Sequence, residues 1–288
     1  MIKTKDPHDL IRANARQAER DRCVYRLAEE HLLGLDRRIT PELLRKYSSP
    51  DSRPKTLANV YRRILGSAQG AGMKPRVIGK HLKGGLDDPK LKRALCGFDP
   101  VRILRKYRGG AREVLRKMQE LNTDHRIRKT KGAIWPLFCR TILTAARFLM
   151  EFGSASAFYK WADSFDRDER LRYELPKHLS DRIDGLGFTL ACDFIKEVGY
   201  VNFGKPDRQI KQIFSDVGLS SGGSDRKILA DICRIARNTG QTPYHVDKIF
   251  WLIGSGKFYR DPGLKINGHK QAFIHHAREK LAEKDAAP

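Results

Sequence analysis

The sequence predicts an all-α fold, and three observations carry that prediction. Apolar residues recur at three- and four-residue spacing along nearly the whole chain. No segment sustains the period-2 alternation of a half-buried strand. Residues that start and stop helices punctuate the periodic stretches. Hydrophobic residues make up 40% and aromatic residues 9% of the 288 positions, enough for a packed core.

The elements follow in order. Leu10, Ile11, Ala15, Val24, Leu27, Leu32 and Leu33, set among charges, predict an amphipathic helix over 8–33. Thr40-Pro41-Glu42 reads as a helix start, with Thr as N-cap and Pro at the first helical position, where its missing N–H costs nothing. Ser49 to Pro54 is turn chemistry and marks a boundary. Leu57, Val60, Tyr61 and Ile64 predict a helix over 56–67, interrupted by Gly70, Gly72 and Pro75. Helices are expected near 76–83, 88–95, 99–107 and 111–121, followed by a basic loop over 122–132. The apolar stretch 133–152 predicts a central buried helix, and Ser154 starts the next, with Phe158 and Trp161. Thr242-Pro243 opens a late helix that Gly254 is expected to close. The expected organisation is an N-terminal helical extension, 1–54, packing with the C-terminal lobe; a helical lobe, 55–198; and a C-terminal lobe, 199–288.

Charge narrows the function classes. Lys and Arg number 57 against 34 Asp and Glu, a formal charge of +23. Polyanions are the natural partners, because neutralising phosphates releases condensed counterions. No apolar run approaches the ~20 residues of a membrane span. The first residues lack the apolar segment of a signal peptide, so an intracellular protein is expected, cytoplasmic or nucleoid-associated if bacterial. Five scattered cysteines form no C-x-x-C pair, which disfavours a zinc ribbon, an iron–sulfur cluster or a disulfide framework. His275-His276 has no further ligand at metal-binding spacing.

One stretch carries more chemistry than the rest. Two short helices flank Gly185-Leu186-Gly187. Glycines permit a tight turn and a close approach of phosphate to the backbone, with the second helix's positive N-terminus facing the anion. Phe188, Ala191, Phe194, Ile195 and Val198 form the core face of that second helix. Downstream, Gly204-Lys205-Pro206-Asp207-Arg208 precedes another helix, with Lys211 following.

These residues resemble the helix-hairpin-helix, Gly/Pro-Asp superfamily of DNA base-excision glycosylases. Gly185, Leu186, Gly187 and Ala191 match the family's hairpin, and Pro206-Asp207 matches its later Pro/Val-Asp. Thr189 stands where lyase members carry a lysine, 18 residues before Asp207, the endonuclease III-like separation. More weakly, Leu65-Gly66-Ser67-Ala68-Gln69 resembles the segment whose Gln fills the gap left by a flipped base. The resemblance spans about 56–255 and implies two helical lobes, with DNA and a base pocket between them.

It also implies roles. Asp207 would stabilise the oxocarbenium-like sugar and position or deprotonate the attacking water. The alternative role for Asp207 is a helix N-terminal carboxylate favoured by the macrodipole, and the two are compatible. Thr189 cannot form a Schiff base, so a monofunctional enzyme is expected. Lys196 is read as facing solvent, and Lys205, Arg208 and Lys211 as phosphate contacts. The expected partner is double-stranded DNA, bound by a monomer without cluster or metal; a monovalent cation bridging hairpin carbonyls to phosphate stays open. The target is left open among damaged purines, mismatched bases and a phage-type modified cytosine. The competing class is a non-catalytic helix-hairpin-helix DNA-binding or repair-scaffold protein.

Overall fold

In the computed structural model, the described residues are 7–70, 85–121, 127, 133–261, 263, 264, 266 and 269–286. The helix expected at 76–83 and nearly all of the basic loop at 122–132 lie outside them. The described residues are all-α, without a strand. They divide into two compact units: the chain up to Pro50 together with Tyr200 onward, and Asp51–Gly199.

The discontinuous unit contains α1 (Pro7–Leu35), α2 (Pro41–Ser48), α12 (Arg208–Asp216), α13 (Asp225–Thr239), α14 (Pro243–Ser255) and α15 (His269–Asp285). Its hub is α14, packed by α1, α2, α12, α13 and α15. Val246, Ile249, Phe250 and Ile253 of α14 are buried against Val24, Ala28 and Leu32 of α1 and Ile213 and Phe214 of α12. Each such side chain contributes roughly 1.5–3 kcal/mol when fully buried. A polar clasp joins the two halves of this unit. Buried Asp21 of α1 accepts from Arg234 Nε at 2.9 Å and Asn238 Nδ2 at 2.7 Å, both on α13.

Helix ends follow local chemistry. Thr40 Oγ1 accepts from Leu43 N at 3.2 Å, and Thr242 Oγ1 from His245 N at 3.2 Å. Pro sits next in both helices. The expected stop at Gly254 is corrected by two residues. The helix runs on to Ser255, and Gly256, at φ +63°, closes it. Gly254 is small for a different reason: Gln209 of α12 approaches so closely that an added Cβ would lie 2.7 Å from Gln209 Cβ.

The continuous unit contains α3 (Leu57–Ala68), α4 (Pro89–Ala94), α5 (Pro100–Lys106), α6 (Ala111–Leu121), α7 (Ile134–Leu149), α8 (Ala155–Asp166), the single turn α9 (Glu169–Arg172), α10 (Glu174–Arg182) and α11 (Phe188–Glu197). As its apolar composition requires, α7 is central, packed by α3, α5, α6 and α10. Trp135, Phe138, Ile142, Ala145, Ala146 and Leu149 are all buried. Thr56, Asp88, Asp99 and Ser154 cap the helices that follow them.

Candidate functional site

The hairpin lies wholly within the continuous unit, joining α10 to α11. Its two glycines have different physical reasons. Gly185 has φ +76°, and a Cβ there would lie 2.6 Å from Thr141 Oγ1 and 3.1 Å from Leu137 Cγ of α7. Gly185 therefore serves the turn and its packing. Gly187 has φ −60° and is the N-cap of α11, with no side-chain cap. Around Gly187 an added Cβ would meet nothing, and the residue is exposed. Only Gly187 leaves the helix N-terminus open to an outside anion. Leu186, between them, is fully buried and anchors the turn, while its N–H donates to Ile183 O at 3.1 Å.

Two residues that sequence reasoning missed hold this turn. Thr141 Oγ1 donates to Asp184 O at 2.6 Å, and Asp184 N donates to Thr144 Oγ1 at 3.0 Å. Both threonines are on α7, one helical turn of sequence apart. Nothing in their local sequence separates them from ordinary helix residues; their role is visible only after packing.

Thr189 lies in the first turn of α11 and is half-buried. Gln69 follows the end of α3, also half-buried, with its N–H donating to Leu65 O at 3.2 Å. The two segments meet: a Cβ on Gly70 would lie 3.2 Å from Leu190 Cδ2. A cleft of about 330 Å³ beside Gln69 is lined by Arg63, Ser67, Asp87, Asp193 and Glu197 among others. The structure thus brings Gln69 beside the helix that carries Thr189.

Lys196 corrects an expectation. It is 3% exposed, not solvent-facing. Lys196 lies four residues after fully buried Cys192 and shares its face of α11, which packs against both α3 and α10. The sequence reading put it on the solvent side of its helix, but the helix is packed from two directions and that side is covered. Of the large aromatic side chains, Trp135 and Phe158 are core residues, 4% and 1% exposed.

In the other unit, Asp207 is the N-cap of α12. Its Oδ1 accepts from Gln209 N at 2.9 Å and Ile210 N at 3.2 Å. The preceding Pro206 is buried and Asp207 itself half-buried. Gly204 is needed upstream, because a Cβ there would lie 2.7 Å from Ile232 Cγ2 and 3.2 Å from Asp247 Cβ. Lys205 is half-buried and Arg208 exposed. Lys211, half-exposed, is ion-paired with Asp225. An anion recruiting Lys211 would compete with that carboxylate.

Among the described residues, no group of three or more His, Cys, Asp or Glu side chains is arranged to hold a metal ion. The cysteines are free thiols, and burial pushes Cys139 up to about 12. No helix among the described residues is long and apolar enough to cross a membrane.

No family model matches the chain, and no curated protein does. Among solved structures, the chain is similar to the Methanocaldococcus jannaschii 8-oxoguanine glycosylase/lyase in complex with a 15mer DNA containing 8-oxoguanine. The TM-score is 0.47 and the sequence identity 15%, over 80% of this chain and 97% of that one.

Proposed function

We propose that this chain is a monofunctional DNA N-glycosylase that removes a damaged, mismatched or modified base from duplex DNA and leaves an abasic site. The observation that carries the reading is the paired motif: a glycine hairpin whose Gly187 opens a helix N-terminus, and a Pro206-Asp207 whose carboxylate heads α12. The charge of +23 suits a polyanionic partner. The hairpin grips backbone phosphate without reading sequence. Gln69 fills the gap left by the extruded base.

Asp207 carries the chemistry. The bond from C1′ to the base nitrogen breaks, and the electron pair leaves with the base. The negative carboxylate stabilises the oxocarbenium-like sugar. A water oxygen bonds to C1′ and its proton passes to the carboxylate. Thr189 offers no amine, so no Schiff base forms and the strand stays intact.

The second reading is a non-catalytic helix-hairpin-helix DNA-binding protein. One observation favours it: Asp207 already has a structural task, capping α12 with two backbone hydrogen bonds. Asp207→Asn separates the readings, because Asn caps as well as Asp but carries no charge. The expected result is a melting temperature lowered only slightly, by the loss of roughly 0.3–1 kcal/mol of helix-dipole interaction, DNA affinity held or raised, and base release reduced about a hundredfold or more. The assay is a panel of duplexes, each with one modified base, scored for alkali-revealed breaks and including phage DNA rich in modified cytosine. Excision near the normal rate by the Asn variant would remove Asp207 from the mechanism. Borohydride should trap no enzyme–DNA adduct; a strong trapped complex would overturn the monofunctional reading.

A further inference from the structure

Residues 85–117 of the continuous unit carry ten Lys and Arg against four Asp and Glu. Each of the four acids has a task of its own. Asp88 Oδ1 caps α4, accepting from Lys90 N at 2.7 Å and Leu91 N at 3.0 Å. Asp99 Oδ1 caps α5, accepting from Val101 N at 2.9 Å and Arg102 N at 3.2 Å. Asp87 pairs with Arg62, and Glu113 Oε2 accepts from Gly109 N at 3.0 Å. Elsewhere exposed arginines find carboxylates, as Arg38 does with Asp36 and Arg45 with Glu42. The side chains of Lys92, Arg93 and Arg102 do not. All three are exposed, and none makes a hydrogen bond or an ion pair with a described residue.

These three cations border one hollow of about 430 Å³, with Pro89, Cys96 and Gly97 completing its wall. Lys92 and Arg93 come from the last turn of α4, and Arg102 from the first turn of α5. The end of α5 is tied back to the end of α4: Lys106 Nζ and Tyr107 Oη donate to Ala94 O at 3.1 and 2.8 Å. Between the helices Leu95 lies at φ −88°, ψ 22°, and Cys96, Gly97 and Phe98 follow at φ +53°, +68° and +68°. A right-handed residue followed by left-handed ones turns successive N–H groups toward one side, a concavity suited to anions. Left-handed backbone is costly for Cys96 and Phe98, so the surroundings hold the turn in this shape, with Phe98 buried. Around Gly97 an added Cβ would meet nothing, which leaves the backbone open to an approaching oxygen.

The hollow is separate from the hairpin. Leu137, Thr141 and Thr144 of α7 hold the hairpin. Tyr107, just after α5, is near enough to Cys139 of α7 for their charges to interact. Cys139 is two residues from both Leu137 and Thr141, on the opposite side of a 3.6-residue turn. Helix α7 therefore stands between the hairpin and α5.

Three like charges around one hollow repel one another, and an oxyanion among them relieves that repulsion. Lysine and arginine donate charge-assisted hydrogen bonds to phosphate oxygens. Because all three cations are exposed, a phosphate in the middle of a strand can reach them without an end being threaded in. We infer that Lys92, Arg93 and Arg102 form a second phosphate site, which holds nucleic-acid backbone independently of the hairpin. The site needs no base excision and goes beyond the glycosylase reading.

The test uses the full chain and an unmodified duplex of a few helical turns, with hydrogen exchange read peptide by peptide. Bound duplex should slow exchange across residues 95–102 by roughly fivefold or more. Lys92→Gln, Arg93→Gln and Arg102→Gln together should abolish that protection and leave the melting temperature near the native value. The same triple variant should reduce the slope of log affinity against log salt by about 2–3. Arg93→Lys with Arg102→Lys keeps the charge and should keep the protection. A duplex that protects the hairpin and leaves 95–102 unprotected, or protection that survives the triple variant, overturns the inference. Gly187→Val should lose protection at 184–190 and keep it at 95–102; loss of both would make them one site and overturn the separation. Inorganic phosphate at the same phosphate concentration should protect neither segment. Protection of 95–102 by inorganic phosphate as strong as by duplex would give the hollow to free phosphate and overturn the assignment to backbone. Protection of neither segment by duplex overturns this site and duplex binding together, whereas protection of 95–102 alone leaves this site standing and overturns the hairpin's grip.

Discussion

Gly185 and Gly187 are two residues apart and answer to different demands. Gly185, at φ +76° and against Thr141, cannot take a side chain without backbone strain and a displaced threonine. Gly185→Ala should cost about 1–3 kcal/mol in denaturant unfolding. Gly187, at φ −60° in open space, should accept a side chain with little change in stability. Gly187→Val should instead weaken binding to all duplexes alike, by roughly tenfold, whatever base they carry. If Gly187→Val changed which base is excised and left affinity intact, the hairpin would belong to base recognition rather than to grip. The sequence shows that both glycines matter, but it does not divide their tasks. That division needs the third helix, α7, whose Thr141 comes more than 40 residues earlier in the chain.

Elements were read well where periodicity and caps agree. The helix after Thr242-Pro243 and the central apolar α7 are examples. The sequence misled where the deciding neighbour is distant. Gly254 looked like a stop because glycine usually is one, yet the approach of α12 explains it and Gly256 ends the helix. Lys196 was read as lying on the solvent side of its helix, yet it shares a buried face with Cys192. The pairing of α1 with α15 gives a consequence that composition hides. His31 sits with its ring centroid 6.2 Å from that of His269 and 5.5 Å from that of Phe273. Burial first, then the charge of His269 and more weakly of His276, holds His31 below its ordinary value. With the folded value lowered, the unfolded chain binds more protons in the window just below about pH 6.5. Stability should be full above that pH and fall as pH drops through the window. Melting temperatures measured across it should fall in the native protein and flatten in His31→Leu. An unchanged acid slope in the variant would place the loss elsewhere.

Across the whole molecule, the excess of basic residues sets how binding responds to salt. With about five to eight phosphates neutralised, the slope of log affinity against log salt should be about −0.9 per phosphate on duplex DNA. A slope near zero would show that the +23 charge serves something other than phosphate. Charge was legible at once; which side chains meet phosphate was not, since Lys211 is already paired with Asp225. The interleaved layout of the chain has a further consequence, one of timing. Asp21 and its partner Arg234 lie 213 residues apart in sequence. At roughly 5–20 residues per second, a ribosome takes on the order of ten to forty seconds to pass from one to the other. In that interval Asp51–Gly199 can emerge complete, while Val24, Ala28 and Leu32 of α1 still lack the helices that will cover them. Helix α1 is made before Asp51–Gly199 yet buried after it, and it presents a surface that a holding chaperone would meet on an unfinished copy.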